Sequence, residues 1–229
     1  ELDHRQHIEN YVLGLTHELK TPLTAQQAAL ELLQDSPLSP DQQQLLDRIR
    51  RNTQKQKQLI ARLLELARLE NRDNLQSTQT VDLSSLAVQA AQESRAALQT
   101  KQLHIALNCP PQTVQGDPLL LRQAIDNLLY NAIDFAETGS EIRLSLTRSR
   151  NRTELAVYNQ GSPVPDYALA KIPQRFYSLP RTDGSRSSGL GLSFTTEIMR
   201  LHHGRLMLAN RENGVEALLL FEGEGEEAV

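Results

Sequence analysis

Tryptophan is absent from this chain of 229 residues, and all aromatic residues together make up only 4% of it. That composition argues against a platform on which single-stranded nucleic acid could stack. Basic residues do not dominate either. The formal net charge is −4, so the global basic footprint of a nucleic-acid binder is missing. The single cysteine, Cys109, cannot close an internal disulfide and points to a reducing compartment. It stands before Pro110 and Pro111 with no partner histidine signature near it, and it reads as a strand residue rather than a nucleophile. No apolar run approaches the roughly 18 residues of a membrane span, and no signal peptide opens the chain. The first residue is Glu1, not Met, so the sequence reads as part of a longer protein.

What is present is 39% hydrophobic residues, enough for real cores in one large or two modest domains. In the first third, Ile8, Val12, Leu15 and Leu19 recur with the spacing of a helical-bundle seam. His17 falls between Leu15 and Leu19, off that seam, where it is expected to face solvent. Pro22 removes a backbone donor and is expected to bend the helix just after His17, with Leu30 and Leu33 continuing the helical pattern. Asp35 to Pro40 reads as a turn, with Ser39 as N-cap and Pro40 at the first helical position of a second helix to about Leu69. Its expected seam is Leu45, Ile49, Leu59, Leu63 and Leu66, interrupted by Asn52 and Gln56 near the level expected for His17, around Gln58. Two helices bury little alone, and a four-helix homodimer would close both seams. The basic run Arg48, Arg50, Arg51, Lys55 and Lys57 reads first as a solvated helix face and second as a contact for an acidic partner.

The polar stretch from Asn71 to Thr80 reads as a linker, which divides the chain into a hairpin at 1–72, a linker at 73–81 and a second domain at 82–221. The acidic, Gly-rich end at 222–229 is expected to be disordered. In the second domain, one helix is expected from Asp82 to about Gln102 and another from Asp117 to about Glu137. A short helix near Tyr167–Ile172 and a last one at about Leu190–His203 follow. Strands are expected at 103–107, 113–115, 141–148, 153–158, 205–209 and 215–221. This is a mixed α/β layer, one sheet with helices on one face.

Three local patterns carry chemistry. Asn127 and Asn131 are one helical turn apart, so they share a face and could offer two amide oxygens to Mg²⁺, with phosphates supplying further ligands. On these residues alone a polar exposed stripe is the better explanation of the pair. Gly189-Leu190-Gly191 opens a helix whose free N–H groups and dipole favour a polyphosphate, and the loop before it carries Arg181 and Arg186 to neutralise charge. No Gly-Lys-Ser/Thr follows, so it is not a Walker loop. Asn159 ends a strand before Gly161 and Pro163, where its side-chain carbonyl could accept from an adenine amino group. His202 and His203, before Gly204, read as cations complementing a helix end rather than as metal ligands.

Taken together in order, these patterns resemble the sensor histidine kinases over nearly the whole chain. Thr16-His17-Glu18-Leu19-Lys20-Thr21-Pro22-Leu23 resembles the family's H box, and Asn127 to Ile133 its N box. Asn159 to Pro165 resembles the G1 box, Arg175-Phe176-Tyr177 the F box, and Gly189 to Leu192 the G2 box. The resemblance implies a dimeric four-helix bundle built from the α-helical hairpin, followed by an α/β sandwich ATP-binding domain of the GHKL (Bergerat) type. It implies His17 as phosphoacceptor, Glu18 as its general base and Thr21 as the residue that positions water for dephosphorylating a response regulator. It further implies Mg²⁺ on Asn131 with Asn127, adenine at Asn159, and nucleotide loops at Gly161, Gly189, Leu190 and Gly191. Partners would be a second copy and a response regulator receiver domain, with no nucleic acid. The chain would be the cytoplasmic portion of an inner-membrane sensor, held to the membrane only through a missing N-terminal region.

The sequence departs from the family pattern at Asn159, where Asp is usual, and at Pro163, in place of a second glycine. Asp134 stands where a basic phosphate contact is common, and Pro173 replaces the first Phe of the F box. These departures define the alternative of a non-catalytic dimeric scaffold with a degenerate nucleotide pocket. A GHKL ATPase of the chaperone or mismatch-repair kind would share the ATP site but have no use for His17.

Overall fold

A computed structural model describes residues 21–33, 38–149, 152–179 and 188–222. The chain divides into two compact units, Glu1–Arg72 and Asp73–Val229. Among the described residues no helix is long and apolar enough to cross a membrane.

The first unit is a pair of helices. Helix α1 covers residues 21–33; Pro22 is itself helical and the helix runs on past it. The expected bend involves residues before 21 and lies outside the described set. Helix α2, Pro40–Glu70, starts as expected. Ser39 Oγ accepts from Gln42 N at 3.3 Å and Gln42 Oε1 accepts from Ser39 N at 2.8 Å, a reciprocal capping box that satisfies two orphan donors. Lys57 Nζ donates to Gln27 Oε1 at 3.3 Å, tying α2 to α1. The expected α2 seam is only partly buried. Leu66 is fully buried, but Leu45, Ile49 and Leu59 are 56%, 53% and 40% exposed. The buried positions are instead Leu46, Thr53, Leu64, Leu66 and Leu69. The helix therefore has one face turned inward within the single chain and a second apolar face left open.

The second unit is built on two sheets, not one. Strand β1, Gln79–Asp82, pairs antiparallel with β3, Thr113–Gly116, in a small ribbon. The polar stretch read as a linker thus ends in a strand, because its Val81 is buried. The main sheet contains β2 (His104–Asn108), β4 (Glu141–Ser149), β5 (Arg152–Gln160), β6 (Arg205–Arg211) and β7 (Gly214–Glu222). Its order is β2-β4-β5-β7-β6, parallel at β2–β4 and antiparallel elsewhere. Alternation sets the register: Ile142, Leu144 and Leu146 on β4 and Leu155 and Val157 on β5 are buried, with more exposed residues between.

The helices of this unit are α3 (Leu83–Glu93), α4 (Arg95–Thr100), α5 (Pro118–Phe135), α6 (Asp166–Leu169) and α7 (Gly191–Leu201). The single helix expected up to Gln102 breaks at buried Ser94, whose hydroxyl donates back to Ala90 O at 2.9 Å. Helix α5 lies between α3 and α7 and packs on β5. It buries Leu120, Leu121, Ala124, Ile125, Leu128, Leu129, Ala132 and Ile133. Each of the leucines and isoleucines among them contributes at most about 1.5–3 kcal/mol, which makes α5 the pivot of the domain. Its start is capped by Asp117, which accepts from Leu119 N and Leu120 N. Its end is capped by Lys101, whose ammonium donates to Ile133 O at 2.8 Å and Asp134 O at 2.6 Å.

His202 corrects its sequence reading. It is buried at the end of α7, where Nδ1 meets Ile198 O at 2.7 Å and Nε2 accepts from Asp117 N at 3.0 Å. Nδ1 must then carry the proton, so the ring is a neutral clasp between α7 and α5 rather than a cation on the helix dipole. Burial pushes its pKa below the ordinary value.

Candidate functional site

The turn spacing of Asn127 and Asn131 places both on the edge of α5 that faces α7. A Cβ built on Gly191 would lie 3.7 Å from Asn127 Oδ1 and 3.9 Å from Asn131 Nδ2. Asn127 Nδ2 donates weakly to Thr195 Oγ1 at 3.4 Å, which holds the amide against α7. The buried Asn131 Nδ2 has no hydrogen-bond partner. Native folds seldom leave a buried donor unpaired, and the natural reason here is a ligand acceptor.

That atom borders a cavity of about 360 Å³. Its walls are largely apolar, from Leu128 and Ala132 on α5, Val157 on β5, Leu208 on β6 and Ala217 on β7. Asn131 and Asn159 supply polar groups, and Gly189 and Gly191 supply close backbone. An apolar slot with few placed polar atoms is the usual form of a small-molecule site. Asn159 is only 6% exposed. Its Nδ2 donates to Gln160 O at 3.2 Å, so the free end of the amide is Oδ1, an acceptor.

Two glycines are needed because backbone passes too close for a side chain. At Gly161 a Cβ would stand 2.6 Å from Phe135 O, at the end of α5. At Gly189, where φ is 66°, it would stand 2.6 Å from Phe176 C. Phe176 N donates to Gly189 O at 3.0 Å, so the Arg175–Tyr177 turn and the glycine loop form one structure. Helix α7 then begins at Gly191 with no side-chain cap, leaving first-turn N–H groups available to an anion.

The structure therefore brings Asn127, Asn131, Asn159, Gly161, Gly189, Leu190 and Gly191 to one region of the second unit. Thr21 is helical and exposed in the first unit. His17, Glu18, Arg181 and Arg186 lie outside the described residues. The sequence reading did not find Tyr177, Leu179 and Ile172 as cavity wall, nor Pro165 and Val164 as its lip. It also missed Asn210, whose amide bonds both backbone groups of Val164 at 2.8 Å. An asparagine at a strand end normally signals only a turn.

Residues 9–72 match the His Kinase A (phospho-acceptor) domain, and residues 116–224 match the histidine kinase-, DNA gyrase B- and HSP90-like ATPase domain. The chain is also 40% identical over 220 residues to the sensor protein CreC of Escherichia coli (strain K12), covering 96% of this chain and 46% of that protein. It belongs to the sensor histidine kinase family. The heme sensor protein HssS of Staphylococcus aureus (strain Newman) is 33% identical over 202 residues, covering 88% of this chain and 43% of that protein. The chain thus spans about half the length of the curated relatives it matches. Among solved structures, full-length ShkA in complex with AMPPNP superposes with a TM-score of 0.79 at 26% identity, over 93% of this chain and 45% of that one. The histidine kinase AdeS of Acinetobacter baumannii shares the fold, with a TM-score of 0.66 at 19% identity over 91% of this chain and 98% of that one. The helical hairpin followed by a GHKL-type ATP-binding domain is as the sequence led us to expect.

Proposed function

We propose that this chain is the catalytic portion of a sensor histidine kinase that moves the γ-phosphoryl group of ATP to His17 and then to an aspartate of a response regulator. The observation that carries the reading is the cavity beside α5. It gathers Asn131, Asn159, Gly189 and Gly191 around apolar walls, with the buried Asn131 Nδ2 unpartnered. No finding supports the alternative of a decayed scaffold.

Asn159 Oδ1 accepts from the adenine amino group, and Gly161 lets the loop close on α5. Asn131 Nδ2 finds its missing acceptor in a phosphate oxygen. The donor set fits Mg²⁺ modestly: Asn127 and Asn131 offer amide oxygens, and a bound ion would draw charge from the β- and γ-phosphates. The N–H groups at the start of α7, with Arg181 and Arg186, take up the remaining negative charge. His17 attacks as neutral imidazole. An N–P bond forms, the bond from γ-phosphorus to the bridging oxygen breaks, and ADP leaves with that electron pair. Glu18 takes the proton lost from the ring. Thr21 orients water for removing phosphate from the regulator. The exposed Leu45, Ile49 and Leu59 support a homodimer closed through α2. The domains assigned are the phosphotransfer hairpin at 1–72 and the catalytic domain at 82–221, on the cytoplasmic side of a membrane-anchored parent.

Incubation with radiolabelled ATP and Mg²⁺ tests this. Acid-labile, base-stable label is expected on the wild type and not on His17→Gln or Asn131→Ala. Label persisting in His17→Gln would remove His17 from the scheme.

A further inference from the structure

Asn210 sits near the end of β6, outside every motif that marks the nucleotide site. Its Oδ1 accepts from Val164 N at 2.8 Å and its Nδ2 donates to Val164 O at 2.8 Å. One side-chain amide therefore takes both backbone groups of one residue, as a neighbouring strand would. This pairing is possible because Val164 precedes Pro165, which drives it toward an extended conformation with N–H and C=O on the same side. Pro163 and Pro165 on either side carry no N–H and have fixed φ. Within 163–165, Val164 is thus the only residue that can be tied by its own donor, and Asn210 ties it. The same hairpin also holds the loop upstream, where Gly161 N donates to Asn213 O at 3.2 Å. Ser162, Pro163, Val164 and Pro165 all line the cavity.

We infer that Asn210 is a positioning residue for the nucleotide: its amide clamps Val164 and so fixes the Ser162–Pro165 lip in the shape that receives the base. The inference rests on the nucleotide-binding reading above. The clamp acts on binding and not on phosphoryl transfer, because it touches neither Asn131 nor the start of α7. Its donor and its acceptor both matter. Asn210→Asp keeps an acceptor for Val164 N–H but sets a carboxylate oxygen against Val164 O.

The experiment is calorimetric titration of the full chain and its variants with ATP and Mg²⁺, with amide hydrogen exchange at Val164 as a second readout. In Asn210→Ala the dissociation constant rises about tenfold, the scale of one to two net hydrogen bonds. Asn210→Asp loses at least as much at neutral pH. KM for ATP in autophosphorylation rises in step, while the rate at saturating ATP stays within about twofold. Val164 N–H exchanges faster in Asn210→Ala than in the wild type. If both variants bind as the wild type does, or if Val164 exchange is unchanged, the clamp is overturned. If the alanine variant does not fold, the aspartate variant carries the same comparison. If the wild type itself binds no nucleotide, the nucleotide reading fails, and Val164 exchange alone decides whether the clamp exists.

Discussion

The Nε2 atom of His202 accepts a hydrogen bond from the backbone N–H of Asp117 at 3.0 Å, joining the end of α7 to the start of α5. Burial, the largest influence, holds the ring neutral, opposed by its bond to Ile198 and the charge of Asp117. The folded-state pKa is therefore depressed below the ordinary 6.5, and the unfolded chain takes up the proton first as pH falls. His202 contributes its full stability above the unfolded value and loses it progressively as pH drops below it. Denaturant midpoints from about pH 8 to about pH 5 should fall in the wild type. The fall should be shallower in His202→Gln, which should also start from a lower plateau. A parallel pair of curves would refute the assignment.

Gly189→Ala should damage the nucleotide site more than the fold. The left-handed backbone at φ 66° costs a side chain about 1 kcal/mol, and its Cβ would press on the Phe176 backbone. The Arg175–Tyr177 turn must then shift away from the cavity. ATP affinity should drop by about tenfold in calorimetry, with a melting temperature only a few degrees lower.

Lys101→Met should loosen the end of α5. It removes an ammonium that donates to Ile133 O and Asp134 O in the last turn of the helix. A loss of about 1–3 kcal/mol in chemical unfolding is expected. Retention of wild-type stability would mean that water replaces both bonds without cost.

Leu45→Glu combined with Ile49→Glu should dissociate a dimer without unfolding the hairpin, because both side chains are more than half exposed in the single chain. Light scattering at micromolar concentration should give a dimer mass for the wild type and a monomer mass for the double variant. A monomeric wild type would end the four-helix proposal.

Much of the site was legible because its residues carry local signatures. Ser39-Pro40 and Asp117-Pro118 announce helix starts through side-chain oxygen and missing N–H, and both caps are present. The turn spacing of Asn127 and Asn131 is a property of any helix. What could not be read was pairing across distance. Gln79–Asp82 looks like linker until Val81 meets Val114 in the ribbon with β3. His202 looks like an end-of-helix cation until burial beneath Gly116 and Asp117 makes it neutral; a Cβ on Gly116 would come within 2.5 Å of its Cδ2. The inward face of α2 fell on Leu46 and Leu64 rather than Leu45 and Ile49, because a heptad pattern marks two apolar faces without saying which closes first.

The strand order has a consequence for how the site comes into being. β7 is the last strand of the sheet in sequence, yet it lies between β5 and β6. Until it arrives, β6 has no neighbour and the cavity lacks Val215 and Ala217. A chain emerging from the ribosome would therefore hold Asn159 and the glycine loops without the cavity that they line. Competence for nucleotide arrives in one late, long-range step, which makes this domain a slow and all-or-none assembler rather than one that matures by degrees.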